Sequence, residues 1–217
     1  MRSTSDARRE LGDLTRQRLL QATRKLLAER GIGGIRLRDV ADAAHVNTAA
    51  VSYHFGSLPS LVNAAVRDAA DAAVSEQGRR LAGLPSDAPL DGVVAAWIRP
   101  TVRGLQEDPE AGALLRIASL AITEAPADMR EWVQEILART HGQLVARLRP
   151  ALPHLDDQEL AFRVFCVGGI VNRFHTAASL PESSAASSPD LERLLVDAIT
   201  GMLAGPSDIS GAERKTP

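Results

Sequence analysis

The sequence is poor in the features on which secreted, membrane-spanning and disulfide-stabilised proteins rely. Cys166 is its one cysteine, so no disulfide can form within the chain. No apolar run reaches the ~18 residues that a membrane span requires. Residues 1–14 carry charges of both signs and no apolar core, which is not the pattern of a secretory signal. These absences predict a soluble, cytoplasmic protein that has no membrane partner.

Aromatic residues are also scarce, at 3% of the 217 residues, but the overall composition is that of a folded protein. Apolar residues account for 45% and charged residues for 24%, which excludes a largely disordered or collagen-like chain. Strand-like alternation is missing, and Pro and Gly recur at intervals of about one helix length. The sequence therefore predicts an all-α fold of about nine helices. They cover residues 15–30, 37–44, 48–55, 59–81, 90–107, 109–124, 127–149, 156–178 and 189–204. In the first of these helices one apolar face is predicted from the helical spacing of Leu19, Ala22, Thr23, Leu26 and Leu27.

The same punctuation predicts how the chain is divided. We expect an N-terminal domain over residues 1–60, in which residues 1–14 form a flexible arm. A helical C-terminal domain would follow over residues 61–205. Residues 206–217 are polar and are predicted to be a flexible tail.

Charge is distributed unevenly between these two domains. Residues 1–60 hold ten basic and six acidic side chains, a net charge of +4. The remaining residues hold fifteen basic and twenty-one acidic side chains, and the whole chain has a net charge of −2. The asymmetry indicates that only the N-terminal domain meets a polyanion, although chance fluctuation of a few charges would also produce it.

Two short predicted helices, joined by a tight turn, follow the first long helix in the arrangement of a helix-turn-helix motif. In such a motif the second, recognition helix lies in the major groove of DNA and presents its N-terminal residues to the base edges. Val51 and Phe55 are spaced so that they pack inward together with Val46 from the turn. The other faces of the recognition helix are then free to point outward.

Residues of three kinds are candidate DNA contacts. Arg36 and Arg38 open the helix before the turn, where backbone N–H groups also favour phosphate. Asn47 is a good N-cap for the recognition helix, and the small residues after it allow close approach to the bases, where Ala49 can touch a thymine methyl group. Tyr53 and its neighbour can donate to phosphate oxygens. The full set is Arg36, Arg38, Asn47, Thr48, Ala49, Ser52, Tyr53 and His54.

Residues 37–57 have the sequence LRDVADAAHVNTAAVSYHFGS, which resembles the DNA-binding region of the TetR family of transcriptional regulators. The preceding LLAERG over residues 26–31 is similar to the end of that family's first helix, and the resemblance covers about residues 15–62. It implies an all-helical regulator whose C-terminal domain binds a small-molecule effector. It also implies a homodimer formed through the last two long helices, those predicted at residues 156–178 and 189–204.

Three positions depart from that family's usual pattern. His45 stands where members usually carry Gly, so the backbone geometry of the turn is in question. Ser52 replaces an aromatic residue that commonly contacts phosphate, with Tyr53 beside it. Leu58 replaces a phosphate-binding lysine, which predicts a shallower salt dependence of DNA binding, by about 0.9 in slope per lost contact.

The effector site is marked less clearly than the DNA-binding region. Residues 160–171 are apolar nearly all round, so we expect this stretch to be buried on several sides. The candidate pocket residues are Trp97, Arg116, Phe162, Asn172 and His175. The alternative is that they belong to the hydrophobic core or to the dimer interface. A buried Arg116 needs an acidic partner, either a ligand or Glu124, whereas a solvated Arg116 does not.

The sequence contains no pattern typical of catalysis, cofactor binding or metal binding. Its five His are scattered, and none has a metal-ligand spacing with Cys166. We therefore expect no enzyme, no cofactor and no metal, but a homodimeric repressor that binds a palindromic double-stranded DNA operator and is released by an unknown small molecule. The alternative is a helical ligand-binding or protein-interaction dimer whose helix-turn-helix is structural only.

Overall fold

A computed structural model describes residues 4–124, 126–176 and 190–206. Within these ranges the chain forms nine α-helices, three short 3-10 turns and no strand, which confirms the all-α prediction. The helices are α1 (Thr4–Arg30), α2 (Leu37–Ala43), α3 (Thr48–Phe55), α4 (Leu58–Ala82), α5 (Leu90–Gln106), α6 (Pro109–Glu124), α7 (Arg130–Leu148), α8 (Asp157–Thr176) and α9 (Leu191–Ala204). The predicted tail lies outside the described residues, apart from Pro206.

Contacts between helices divide the chain into two compact units, which we describe separately. The first comprises the described residues within 1–74 and 108–134, and the second those within 75–107 and 135–217. Helix α6 packs against α1 and therefore belongs to the first unit. The contacts thus group the chain differently from the predicted boundary at residue 60, because a segment distant in sequence completes the first unit.

The first unit is built around the apolar face of α1, which packs against α2, α3 and α6. Leu19 and Leu27 of the predicted apolar stripe are fully buried, as are Val40 of α2 and Val51 of α3. Thr23 lies in the same stripe, and its hydroxyl donates to the Leu19 carbonyl oxygen at 2.7 Å. The buried Thr23 hydroxyl therefore has its hydrogen-bond partner within the helix, which offsets the cost of removing it from water.

Helix α1 begins at Thr4, whereas the sequence predicted a flexible arm over residues 1–14 and a helix start at Thr15. The Thr15 hydroxyl does not cap a helix end, because it donates to the Leu11 carbonyl oxygen at 2.9 Å within the continuous helix. The residues before it are mostly good helix formers such as Ala, Arg, Glu and Leu, and they include no proline. At 1.5 Å per residue, α1 is about 40 Å long.

The core of the second unit lies between α5, α7, α8 and α9. Ile98, Leu148 and Leu160 are fully buried there, and Ile199 is almost so. Burying each such side chain stabilises the fold by about 1.5–3 kcal/mol. The two helices that were predicted to form the dimer interface, α8 and α9, therefore pack on a large apolar core in the second unit.

Arg163 of α8 fastens the C-terminal end of α9. Its guanidinium donates to the carbonyl oxygens of Leu203, Gly205 and Pro206 at 2.8, 2.7 and 2.9 Å. It also pairs with Glu159 one turn earlier on α8, where both side chains are largely buried. The last carbonyl groups of a helix have no partner within that helix. Arg163 supplies the donors and so joins α8 to α9.

Candidate nucleic-acid interface

The turn between α2 and α3 is closed by two backbone hydrogen bonds. The N–H of His45 donates to the Asp42 carbonyl oxygen at 3.1 Å, and the N–H of Val46 donates to the Ala41 carbonyl oxygen at 3.0 Å. This pair of bonds is the Schellman ending of a helix, which places the residue after the C-cap in the left-handed region. His45 occupies that position with φ 54°, where glycine is usual. The turn expected of a helix-turn-helix is formed despite the histidine.

Both ends of α3 are set by local residues. The Asn47 side chain accepts the N–H of Ala49 at 3.0 Å, which confirms the predicted N-cap. At the other end Gly56 adopts φ 78°, and its N–H donates to the Ser52 carbonyl oxygen at 3.0 Å. The recognition helix is therefore a short helix of two turns, and the residues directly before and after it, Asn47 and Gly56, fix where it begins and ends.

The predicted outward surface of α3 is exposed in the structure. Val51 is fully buried, and Phe55 is half-buried with the Arg16 guanidinium carbon 5.1 Å from its ring centre. On the other side Ala49 and Ser52 are exposed, and Tyr53 is 86% exposed. A large aromatic side chain with its hydroxyl in solvent is suited to contact phosphate or sugar. These three residues form the most accessible part of α3.

Thr48 and His54 are held more tightly than the sequence indicated. Thr48 is half-buried, and its hydroxyl donates to the Asn47 side-chain oxygen at 3.3 Å. The His54 ring is half-buried and meets the Tyr53 ring edge-on, with the ring centres 4.9 Å apart. Both side chains are therefore partly occupied by contacts with neighbouring residues, and only part of each is exposed on the surface of the recognition helix.

Arg36 and Arg38 lie exposed at the start of α2. Beside them, Arg30 of α1 donates to the Asp39 carboxylate at 3.0 Å. The one acidic side chain in the first turn of α2 is therefore neutralised by a partner outside the helix. The charge presented by the start of α2 is positive, as a phosphate contact requires.

The N-terminal part of α1 runs beside α3, a contact that sequence reasoning did not predict. A Cβ on Gly12 would lie 3.9 Å from Cε1 of His54, so α1 runs past the end of the recognition helix. Arg16 lies one turn further along and stacks on Phe55. The signal available in the sequence was the i, i+3, i+7 spacing of Arg9, Gly12 and Arg16, which continues the buried stripe of α1.

Trp97 and His175 lie in the interior of the second unit. Trp97 is buried on α5, and its Nε1–H has no hydrogen-bond partner among the residues that the structure describes. Nε2 of His175 lies 2.8 Å from the Thr101 hydroxyl, a partner that the sequence did not indicate. Burial lowers the pKa of His175 to about 4, because desolvation penalises the charged ring. The His175 ring is therefore neutral near pH 7, and the Trp97 Nε1–H is a buried donor that a ligand acceptor could use.

The other candidate pocket residues are placed differently. Asn172 is half-buried on α8, one turn before His175. Phe162 is 63% exposed on the same helix, so it does not join Trp97 in the interior. Phe165 is 66% exposed beside it, and the prediction that this apolar stretch of α8 is buried on several sides is wrong within one chain. Arg116 is half-buried on α6 and belongs to the first unit.

The described part of the chain shows neither a metal-binding cluster nor a membrane-spanning helix. It contains no group of three or more His, Cys, Asp or Glu side chains placed to hold a metal ion. None of the helices within those ranges is both long and apolar enough to cross a lipid bilayer.

Two protein families match the sequence. Residues 19–65 match the family described as "Bacterial regulatory proteins, tetR family". Residues 95–205, about half of the chain, match the family described as "Tetracyclin repressor-like, C-terminal domain". The first match spans the helix-turn-helix, and the second spans most of the helices of the second unit. A comparison with curated proteins found no match.

Several solved structures share the fold. AibR, solved in complex with isovaleryl coenzyme A and operator DNA, has a TM-score of 0.68 at 15% identity, and the alignment covers 89% of this chain and 100% of AibR. A TetR-family transcriptional regulator from Rhodococcus sp. has a TM-score of 0.53 at 26% identity, with 86% and 98% covered. RolR, solved with resorcinol, has a TM-score of 0.53 at 21% identity, with 96% and 97% covered. The similarity therefore extends over nearly the whole chain.

Proposed function

Because the chain belongs to the TetR family, whose members regulate transcription and are not enzymes, we propose that it is a repressor that binds a palindromic operator as a homodimer and is released by a small-molecule effector. The family assignment confirms the resemblance carried by residues 37–57, and regulation by DNA binding follows from it. Repression, the palindrome, the dimer and the effector are proposed here. A cytoplasmic location, with access to the chromosome, goes with this function.

The observation that carries the proposal is the surface of α3. Its N-terminus is fixed by the Asn47 cap and its inner face by buried Val51, while Ala49, Ser52 and Tyr53 are exposed. A helix held in this way can enter a major groove without losing its own packing. The positive start of α2 would then lie against the backbone phosphates. Two copies would read half-sites about 34 Å apart, or somewhat further.

The proposed dimer interface is the exposed face of α8 and α9. Phe162 and Phe165 protrude from α8, and Leu194 and Met202 are exposed on α9. Exposed aromatic side chains cluster at protein interfaces, where they contribute large buried areas. Partial exposure of a helix that sequence reasoning expected to be buried is explained if a second copy covers it.

The proposed effector site is the interior of the second unit near Trp97. A buried indole N–H without a partner costs free energy, and a ligand acceptor atom would recover it. AibR was solved with a coenzyme A thioester and RolR with a small phenol, so this fold accepts ligands of very different size. We therefore assign the region and not the effector's identity. The half-exposed Asn172 and the His175–Thr101 pair would line the same side.

The central experiment is selection of duplex DNA from a random pool by the full chain, followed by fluorescence anisotropy on the selected duplex and on a shuffled one. Tyr53→Ala and Arg38→Ala should each weaken binding by about tenfold. Arg18→Ala is the matched control, because Arg18 is an exposed arginine of the same unit on the side of α1 away from α3. Tyr53→Phe separates the hydroxyl from the ring.

Three outcomes are informative. Sequence-dependent binding that Tyr53→Ala weakens by about tenfold and that Arg18→Ala leaves intact supports the recognition helix. Binding that is equal on both duplexes, or unaffected by the Tyr53 change, contradicts it. No binding to any selected duplex favours the alternative of a ligand-binding or protein-interaction dimer with a structural helix-turn-helix.

The effector can be sought with the chain's own fluorescence. Trp97 and Trp132 are its two tryptophans, so Trp132→Phe leaves Trp97 as the only indole. A compound that both releases the selected duplex and changes the Trp97 emission binds near Trp97, as proposed. Release without any change in Trp97 emission would move the effector site elsewhere.

A further inference from the structure

Three polar groups meet in the interior of the second unit, where α5 and α8 pack together. Trp97 and Thr101 are 4% and 3% exposed, and they lie one turn apart on α5, so their side chains are neighbours on one face. Nε2 of His175 on α8 lies 2.8 Å from the Thr101 hydroxyl. The Trp97 Nε1–H has no hydrogen-bond partner among the residues that the structure describes. One donor is therefore left beside a pair whose members bind each other.

The surroundings of this donor are apolar. Ile98 and Val102 of α5 and Val171 of α8 are buried in the same core, and Phe174 packs against it. An unpaired polar group costs more in such surroundings than at a surface, because the low local dielectric strengthens every hydrogen bond that is not made. An acceptor atom that reached the indole N–H would therefore gain a strong hydrogen bond.

The same interior offers no partner to a charged ligand. Among the described residues of the second unit, Glu159 is the one buried charged side chain, and it pairs with Arg163. Glu159 is sixteen residues before His175 on α8, which is about 24 Å along the helix axis. Arg99 of α5 is exposed and pairs with Glu192. The His175 ring is itself neutral near pH 7, because burial lowers its pKa to about 4.

We propose that the part of the effector that contacts Trp97 is uncharged and largely apolar, and that it carries an acceptor oxygen for the Trp97 Nε1–H. This rests on the proposed function, which puts the effector site in the same region, and it adds the chemical class of the ligand. A carboxylate would accept from the indole but would remain a buried charge without a counter-ion. An ammonium group would present only donors to a donor. Esters, amides, ketones and ethers meet both conditions.

The class can be tested with compounds that share a benzene ring and differ in one group. Methyl benzoate is neutral with an acceptor, propylbenzene is neutral without one, benzoate is an anion and benzylammonium is a cation. Each is titrated into the full chain near neutral pH by calorimetry, and the same four groups on naphthalene test a larger ligand. The two charged compounds should bind about a hundredfold more weakly than the ester, or less tightly still. A charged compound that binds as tightly as its ester, or failure of both esters to bind, overturns the proposal.

Two variants test the role of the indole donor. Trp97→Phe removes the N–H and keeps an aromatic ring, whereas Trp132→Phe makes the same change in the first unit and is the matched control. In Trp97→Phe the ratio of ester affinity to propylbenzene affinity should fall by about tenfold, because only the ester loses a hydrogen bond. A loss of packing would weaken both compounds and leave this ratio unchanged. Trp132→Phe should keep the wild-type ratio, and in that variant the ester should change the Trp97 emission.

The titrations contain no DNA, so their result is independent of the operator experiment. A chain that binds its selected duplex but shows an unchanged affinity ratio in Trp97→Phe, and no response of Trp97 emission to the ester, overturns the ligand class and leaves the DNA-binding function. A chain that prefers the esters through Trp97 but binds no selected duplex keeps the ligand class and overturns the proposed regulation of an operator.

Discussion

The two units of the chain present recognition surfaces of opposite chemistry on equally rigid supports. In the first unit α3 exposes Ala49, Ser52 and Tyr53 above a buried Val51, and the Arg16 guanidinium lies over the Phe55 ring at the end of the helix. In the second unit α8 exposes Phe162 and Phe165 above an apolar core. A polar, positively charged surface suits a polyanion, whereas an aromatic surface suits desolvated protein. The difference agrees with the proposed function, in which the first unit contacts DNA and the second unit forms the dimer.

The largest effect is expected from placing a charge on the aromatic surface. Phe165→Glu would bury a carboxylate in the proposed dimer interface, and truncating an interfacial aromatic already costs about 2 kcal/mol or more. We expect the chain to become monomeric in analytical ultracentrifugation and to lose operator affinity, since both half-sites must be occupied together. The thermal midpoint should change little.

Leu11→Glu is the matched control for that change. Leu11 is 70% exposed on α1, so it is an exposed apolar residue of the first unit. It should leave the oligomeric state unaltered. A dimer that survives Phe165→Glu, or one that Leu11→Glu also disrupts, would erase the contrast between the two surfaces.

The next largest effect is expected at low pH, which should destabilise the second unit before the first. The pKa of His175 is lowered to about 4 from 6.5 by burial, and that of His141 is lowered by the same cause. The folded state therefore resists a proton that the unfolded chain accepts, so this stability is complete above pH 6.5 and declines as pH falls toward 4. For His175 the loss is on the order of 2–3 kcal/mol.

Each unit contains one tryptophan, which lets the acid effect be assigned. Trp97 is in the second unit, and Trp132 is in the first, with the Arg67 guanidinium carbon 4.9 Å from its ring centre. We expect acid unfolding monitored by Trp97, in Trp132→Phe, to begin at higher pH than unfolding monitored by Trp132, in Trp97→Phe. His175→Gln should flatten the Trp97 curve. Coincident curves that ignore this substitution would contradict the assignment.

Substitutions of Asn47 should have a smaller effect, and they distinguish its role as the N-cap of α3 from a role in contacting DNA. Asn47→Ala removes the acceptor for the Ala49 N–H and should cost about 1 kcal/mol in denaturant unfolding. Asn47→Asp keeps an acceptor, so stability should remain near the wild-type value. It also adds a negative charge at the proposed interface, so DNA affinity should fall. If Asn47→Asp binds DNA as the wild type does, Asn47 lies away from phosphate.

The smallest effect concerns the left-handed residue before α3. His45→Gly should raise stability by about 0.5–1 kcal/mol, because φ 54° is strained for a residue with a Cβ. His45→Val should lower it by more, since β-branched residues tolerate this region poorly. The two variants bracket the cost in equilibrium unfolding. Equal stabilities would show that the turn relaxes to another conformation.

Sequence reasoning succeeded where structure is set by adjacent residues. The bounds of α3 matched because the Asn47 cap and the Gly56 stop act within two residues of the helix ends. The buried stripe of α1 was found from its 3.6-residue period. Such local signals describe most of the recognition surface.

The features that sequence reasoning missed depend on contacts between residues that are distant in the sequence, or on the competition between burial in the core and burial in an interface. The Thr101–His175 pair joins residues 74 positions apart, and α6 joins α1 across most of the first half of the chain. Phe165 was expected to be buried because residues 160–171 are apolar nearly all round, but a helix that is apolar on two sides can leave one of them exposed for a partner. Residues 4–14 include no proline and are mostly good helix formers, and their summed propensity favours a helix that begins at Thr4.

Arg163 bears on the cost of association. Its donors hold the final carbonyl groups of α9, and the positive charge complements the negative end of that helix. Immobilising flexible groups at an interface costs about 0.5–1.5 kcal/mol for each side chain that must be ordered. In the proposed dimer, α8 and α9 would already be held together within each chain, so two copies would not lose the entropy of arranging these helices, and more of the apolar burial would stabilise the dimer.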